Sequence, residues 1–267
     1  MASTATHGDG EVNLGHCLGD HHSASGRAAR DAIDIAYGRL QLSPRAPSEH
    51  DAVTAAEAIL GATPRPVYCY VGCLHPGLGT VGFIFDEACC SDGLQGVSRC
   101  DSGGLAGGIG PFVFVPEEDR ESSLVELSFR DGHLEEWSTA FDSELSASYP
   151  MPVDYAQGVV PNTHGWSDAR ARCLDLISRE TAAGRTDMPV ADRRLWTWEA
   201  RFAQGPAHHQ LRVLVLSSSQ ASSLTWDELR ELGDLPAHVK VITGRSSAAG
   251  TDEVFSSLEV TTALVET

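Results

Sequence analysis

The chain has 267 residues, 42% hydrophobic and 21% charged, which is enough to enclose a sizeable core and lies at the upper end for one domain. Its 37 acidic and 19 basic residues leave a formal charge of −18, which argues against sequence-specific binding of nucleic acid and against an anionic membrane surface. No run approaches the ~20 consecutive apolar residues that span a bilayer.

Residues 1–25 lack the basic start and apolar run of an export signal. Cysteines at 17, 69, 73, 89, 90, 100 and 173 make an odd set, which fits reduced thiols in a cytoplasm better than a disulfide frame. Lys240 is the single lysine beside eighteen arginines, as in a high-GC genome.

In chain order, residues 1–25 show no apolar period and are expected to be a disordered head, with residues 26–267 as a single α+β domain. Ala29, Ile33 and Tyr37 recur at helical spacing, and Ser48 with Asp51 marks the start of a second helix that Gly61 ends. Residues 67–73 and 78–86 read as a hairpin across His75-Pro76-Gly77. Further strands are expected over 95–100, 111–115 and 124–129, and a helix over 133–146. Residues 149–163 read as a lid or long connection. The clearest helix covers 167–183, closed by Gly184, and residues 194–203 alternate as a strand. Strands at 211–216, 239–243 and 258–260 follow, with a helix opened by the Thr225–Glu228 capping box. The irregular order predicts α+β, with a mixed or mainly antiparallel sheet and flanking helices.

Two chemistries compete for the segment around Cys100-Asp101-Ser102 and the glycines that follow it, Gly103, Gly104, Gly107, Gly108 and Gly110. Glycine at this density lets backbone amides face an anion or approach a ligand. The run lacks the lysine of a P-loop and the G-x-G-x-x-G fingerprint of a dinucleotide fold. In one reading Cys100 is a nucleophile of a hydrolase or acyltransferase. The amides would lower its pKa, and His75 or His164 would serve as base.

The other chemistry starts from Glu199, a carboxylate set among the aromatics of Trp196-Thr197-Trp198-Glu199-Ala200-Arg201. Partial desolvation between the indoles would raise its pKa and suit it to act as base or to stabilise an oxocarbenium-like centre at a glycosidic carbon. Trp196 and Trp198 would wall a flat heterocycle, Ser102, Gly103, Gly104 and Gly107 would hold phosphate, and His75 would orient a ribose. The order of His75, Ser98 or Ser102, and Glu199 resembles that of ADP-ribosyltransferases, and the resemblance implies NAD as substrate. It rests on single residues. The family's Ser-Thr-Ser strand is absent, and no Glu-x-Glu or Gln-x-Glu pair precedes the late strand. Beyond NAD as a substrate the sequence names no cofactor and leaves that question open, and no metal site is expected. A third reading is non-catalytic: an acidic, immunity-type protein that binds a basic protein partner.

Overall fold

The computed structural model describes residues 14–18, 27–42, 52–61, 66–74, 81–86, 93–130, 133–163, 168–184 and 192–244. The expected turn histidine His75, the other candidate base His164, Cys89, Cys90, the Ser48–Asp51 box and the strand at 258–260 lie outside the described residues.

The architecture is α+β. In chain order the described elements are β1 (Leu14–Leu18), α1 (Arg27–Ala36), α2 (Ala52–Leu60), β2 (Val67–Val71), β3 (Val81–Phe85), β4 (Leu94–Ser98), α3 (Ser102–Gly107), α4 (Glu117–Glu126), β5 (Ser128–Phe129), α5 (Trp137–Ser148), α6 (Pro152–Gln157), α7 (Asp168–Ala182), β6 (Glu199–Phe202), β7 (Leu211–Ser217), α8 (Ser218–Ser222), α9 (Trp226–Gly233) and β8 (Lys240–Gly244). The strands form one mixed sheet in the order β5-β4-β6-β2-β1-β3-β7-β8. Every pairing is antiparallel except β7 with β8, which run parallel with α8 and α9 between them.

Two expectations about the first half are corrected by β1. Residues 14–18 are a strand near the centre of the sheet, not part of a disordered head. The strands read as a hairpin do not pair with each other, because β1 lies between β2 and β3 and bonds to both. Leu14-Gly15-His16-Cys17-Leu18 is short, with Gly15 and His16 breaking its apolar residues and no alternation, so it carries no strand signal of its own. Its place comes from backbone hydrogen bonds offered by two strong strands. β3 is buried along its whole length, and β7 at every position but Arg212, as expected for strands covered on both faces.

The glycine run is a helix, not a loop. Asp101 caps α3 by accepting from the Gly104 N–H at 2.8 Å, and Gly108, at φ 60, ends it in the left-handed conformation. The apolar run expected as a strand at 111–115 is instead a 3-10 turn, Gly110–Phe114, with Pro at its start. Residues 124–126 of the next expected strand are the end of α4, and only Ser128–Phe129 extend. Glu117, Glu118 and Asp119 in the first turn of α4 favour the helix dipole, while Leu124 and Leu127 are spaced three apart and both buried. A five- or six-residue apolar stretch satisfies either period. The long connection contains α6, capped by Gly158.

Candidate functional site

The register places a row of polar side chains on one face of the sheet. Ser98 pairs with Ser128 on one side and with Glu199 on the other; Glu199 in turn pairs with Tyr70, and Arg201 with both Tyr68 and Gly96. Cross-strand partners share a face. Residues Ser128, Ser98, Glu199, Arg201, Tyr68 and Tyr70 therefore form one stripe across β5, β4, β6 and β2. The helices α2 and α3 lie over it: Tyr68 Oη donates to Glu57 of α2 at 3.5 Å, and Ser102 of α3 donates to Glu199 in a short bond.

Glu199 is 3% exposed and Arg201 1% exposed, with 3.7 Å between the carboxylate and the guanidinium. Arg201 Nη1 donates to Ser98 Oγ at 2.6 Å, and Ser98 and Ser128 share a bond of 2.7 Å. Gly96 is required here, because a Cβ at that position would run into the Arg201 guanidinium, which crosses its strand. Burial pushes the Glu199 carboxyl up to about 8; the nearby Asp101 adds to the rise, while Arg201 and the Ser102 hydroxyl oppose it. Burial also lowers the Arg201 pKa, against the pull of Glu199. The stripe thus sets a carboxyl raised by burial next to a hydroxyl and a guanidinium.

Ser102 and Glu199, 97 positions apart, were both read as site residues, and the fold brings them together. The other expected residues fare differently. Gly103 and Gly104 sit in the first turn of α3, where both amides bond to the Asp101 carboxylate. That carboxylate already stands where a phosphate was expected, which corrects the cradle reading for this turn. Gly107 is at the far end of the helix.

Trp196 and Trp198 are buried at 2% and 1% exposure. Trp198 occupies the face of the sheet opposite Glu199, stacks on Phe129, meets Phe141 edge-on and donates from Nε1 to Glu144 at 3.0 Å. Both indoles belong to the interior, and the expectation that they wall a ligand is corrected. Cys100 is fully buried, and burial raises its thiol well above the ordinary value. The expected lowering by backbone amides is reversed, and with it the thiolate that a nucleophile needs. Cys69, Cys73 and Cys173 are likewise buried and outside any disulfide.

Sequence reading missed two features. One is the polar stripe as a unit, whose signal was the alternation of Gly96 and Ser98 in β4 against Glu199 and Arg201 in β6. The other is a second buried polar group on the opposite face. There Glu144 of α5 pairs with Arg170 of α7, Arg99 lies over the rings of Phe129 and Trp198, and Tyr155 Oη accepts from the Trp198 N–H while donating to the Val71 carbonyl at 2.9 Å. Among the described residues no helix is long and apolar enough to cross a membrane.

Compared with known proteins, the chain matches no family model, no curated protein and no solved structure.

Proposed function

We propose that the chain is an enzyme acting on a nucleotide-like ligand, NAD among the substrates to test, by transfer or hydrolysis at a glycosidic bond, with Glu199 as its acid. The observation that carries this reading is the Glu199 carboxyl, buried, hydrogen-bonded by Ser102 and titrating at about 8. A carboxyl that keeps its proton at neutral pH can give it to the departing base of a nucleoside as the glycosidic bond breaks, whereas from NAD the nicotinamide leaves as a neutral molecule with the bond's electron pair and the carboxylate form stabilises the oxocarbenium-like sugar. Water then adds at the sugar carbon for hydrolysis, or an acceptor hydroxyl for transfer, and the proton released returns to the carboxylate. Ser102 orients the carboxyl, and Arg201 stabilises its charged form between the two transfers.

Substrate reaches Glu199 only if its cover moves. That cover is formed by α2 and α3, the latter holding the carboxyl through Ser102. The test is product analysis after incubation with NAD and a panel of ribonucleosides. Glu199→Gln is expected to lower turnover at least ~100-fold, the size of a general-acid contribution, and Ser102→Ala less. Turnover unchanged in Glu199→Gln, or no cleavage of any substrate by the unaltered protein, removes the proposal.

A second reading, a non-catalytic protein that binds a basic partner, is favoured by the exposed acids Glu117, Glu118, Asp119 and Glu121 along α4. It needs no role for Glu199, and turnover distinguishes the two.

A further inference from the structure

Asp101 joins the turn that leads into β6 to the helix that covers Glu199. Its backbone N–H donates to the Arg194 carbonyl at 2.9 Å, and its own carbonyl accepts from the Leu105 N–H at 3.0 Å within α3. Its side chain accepts from the Gly104 N–H at 2.8 Å, which fixes the first turn of that helix. The next residue is Ser102, whose hydroxyl donates to Glu199. The cap of α3 and the bond on Glu199 thus start from adjacent residues of one turn. The orientation of Ser102 toward Glu199 is the orientation that Asp101 gives this turn.

Gly104 belongs to the same arrangement. A Cβ there would stand 2.9 Å from Asp101 Oδ2 and 3.2 Å from the Phe112 ring, so a larger residue would push the carboxylate off its donor. One glycine of the run after Cys100 therefore has a use that involves no ligand: it lets a carboxylate lie against the turn. The charge placed there is felt by Glu199, which Arg201 faces from the other side at 3.7 Å. Burial raises Asp101 too, while the bond from Gly104 and the charge of Arg194 favour its ionised form.

We propose that Asp101 is a positioning residue for Glu199: by capping α3 it holds the Ser102 hydroxyl on that carboxyl, and it sets its own charge beside it. Asp101 matters to catalysis only through the glycosidic reading above, but its hold on Ser102 is a property of the fold and is tested on Glu199 directly.

The test is carbon-13 NMR titration of the full chain labelled at glutamate, with the Glu199 signal assigned through Glu199→Gln, together with hydrogen exchange of the Gly104 amide. Asp101→Asn keeps a capping oxygen and removes the charge. It is expected to leave Gly104 exchange nearly unchanged and to lower the Glu199 midpoint by about 1 pH unit. Gly104→Ala keeps the charge and displaces the carboxylate, and is expected to raise the midpoint, because the Ser102 donor that favours the ionised form is loosened. Asp101→Ala is expected to speed Gly104 exchange at least ~5-fold, the size of a lost cap. Ser102→Ala is expected to raise the midpoint in the unaltered protein and in Asp101→Asn, but not in Asp101→Ala, where the bond is already lost. An unchanged midpoint in Asp101→Asn or in Gly104→Ala overturns the proposal, whether or not Asp101→Ala folds, and so does an equal rise from Ser102→Ala in all three backgrounds. If the unaltered protein cleaves no substrate, the glycosidic reading fails while these shifts still decide the role of Asp101.

Discussion

Glu199 sets a pH dependence whose sign follows from its surroundings. In the unfolded chain its carboxyl titrates near the ordinary 4.5, and in the fold burial pushes it up to about 8. Between those values the folded protein holds a proton that the unfolded chain has lost. Stability therefore falls as pH rises through this window, by at most about 1.4 kcal/mol per pH unit, and levels off above the folded value. Asp101, raised chiefly by burial, acts in the same sense. Glu228 and Glu231, lowered by their bonds to Thr225 and Arg39, act in the opposite sense, and only below the ordinary carboxylate range. Urea unfolding from about pH 5.5 to about pH 8.5 is thus expected to show a declining midpoint, and Glu199→Gln, which keeps the shape and cannot ionise, to flatten that decline. Equal slopes in the two proteins would place the titration of Glu199 elsewhere.

At the scale of elements, β1 decides whether the sheet exists as one body. It bonds to β2 through Leu14 and Gly15 and to β3 along all five residues, and β2 and β3 have no pairing with each other. A chain beginning at residue 26, the boundary that composition suggests, loses the strand joining the β5-β4-β6-β2 half to the β3-β7-β8 half. It is expected to lose cooperative urea unfolding and the dispersed amide spectrum of the full chain; retention of both would show that the two halves close without β1. The same element shows what the sequence could reveal. α1, α7 and the Thr225–Glu228 box that opens α9 were legible because their signals are local: apolar spacing, a stop glycine, and a cap three residues from its partner. β2, β3 and β7 were legible as strands, but which strand neighbours which depends on contacts far apart in sequence. Glu199 stood out as a charge within an aromatic strand, but the burial that raises it comes from α2 and α3 over its face and not from the neighbouring indoles. The tryptophans were assigned to the wrong environment, because alternation tells which residues share a face and not which helices cover it.

For the whole molecule, the excess of 37 acidic over 19 basic residues sets two salt effects against each other. Salt screens the repulsion among exposed acids, which stabilises the compact state, and it also weakens surface ion pairs such as Arg39 with Asp34 and Glu231, or Arg212 with Asp86. Exposed pairs contribute about 0–1 kcal/mol each, and few of them stand against a surplus of unpaired charge spread over the surface. The buried Glu199–Arg201 pair is little affected, since screening acts through solvent. Repulsion should therefore dominate. Raising sodium chloride from about 0.02 M to about 0.5 M, where the Debye length shrinks from roughly 20 Å to roughly 4 Å, is expected to raise the melting temperature. Each kcal/mol relieved is worth about 2–4 °C in a chain of this size. A melting temperature that falls with salt would mean that the surface is arranged in favourable pairs, which would also undercut the binding of a basic partner along α4, because that reading needs acids left unneutralised.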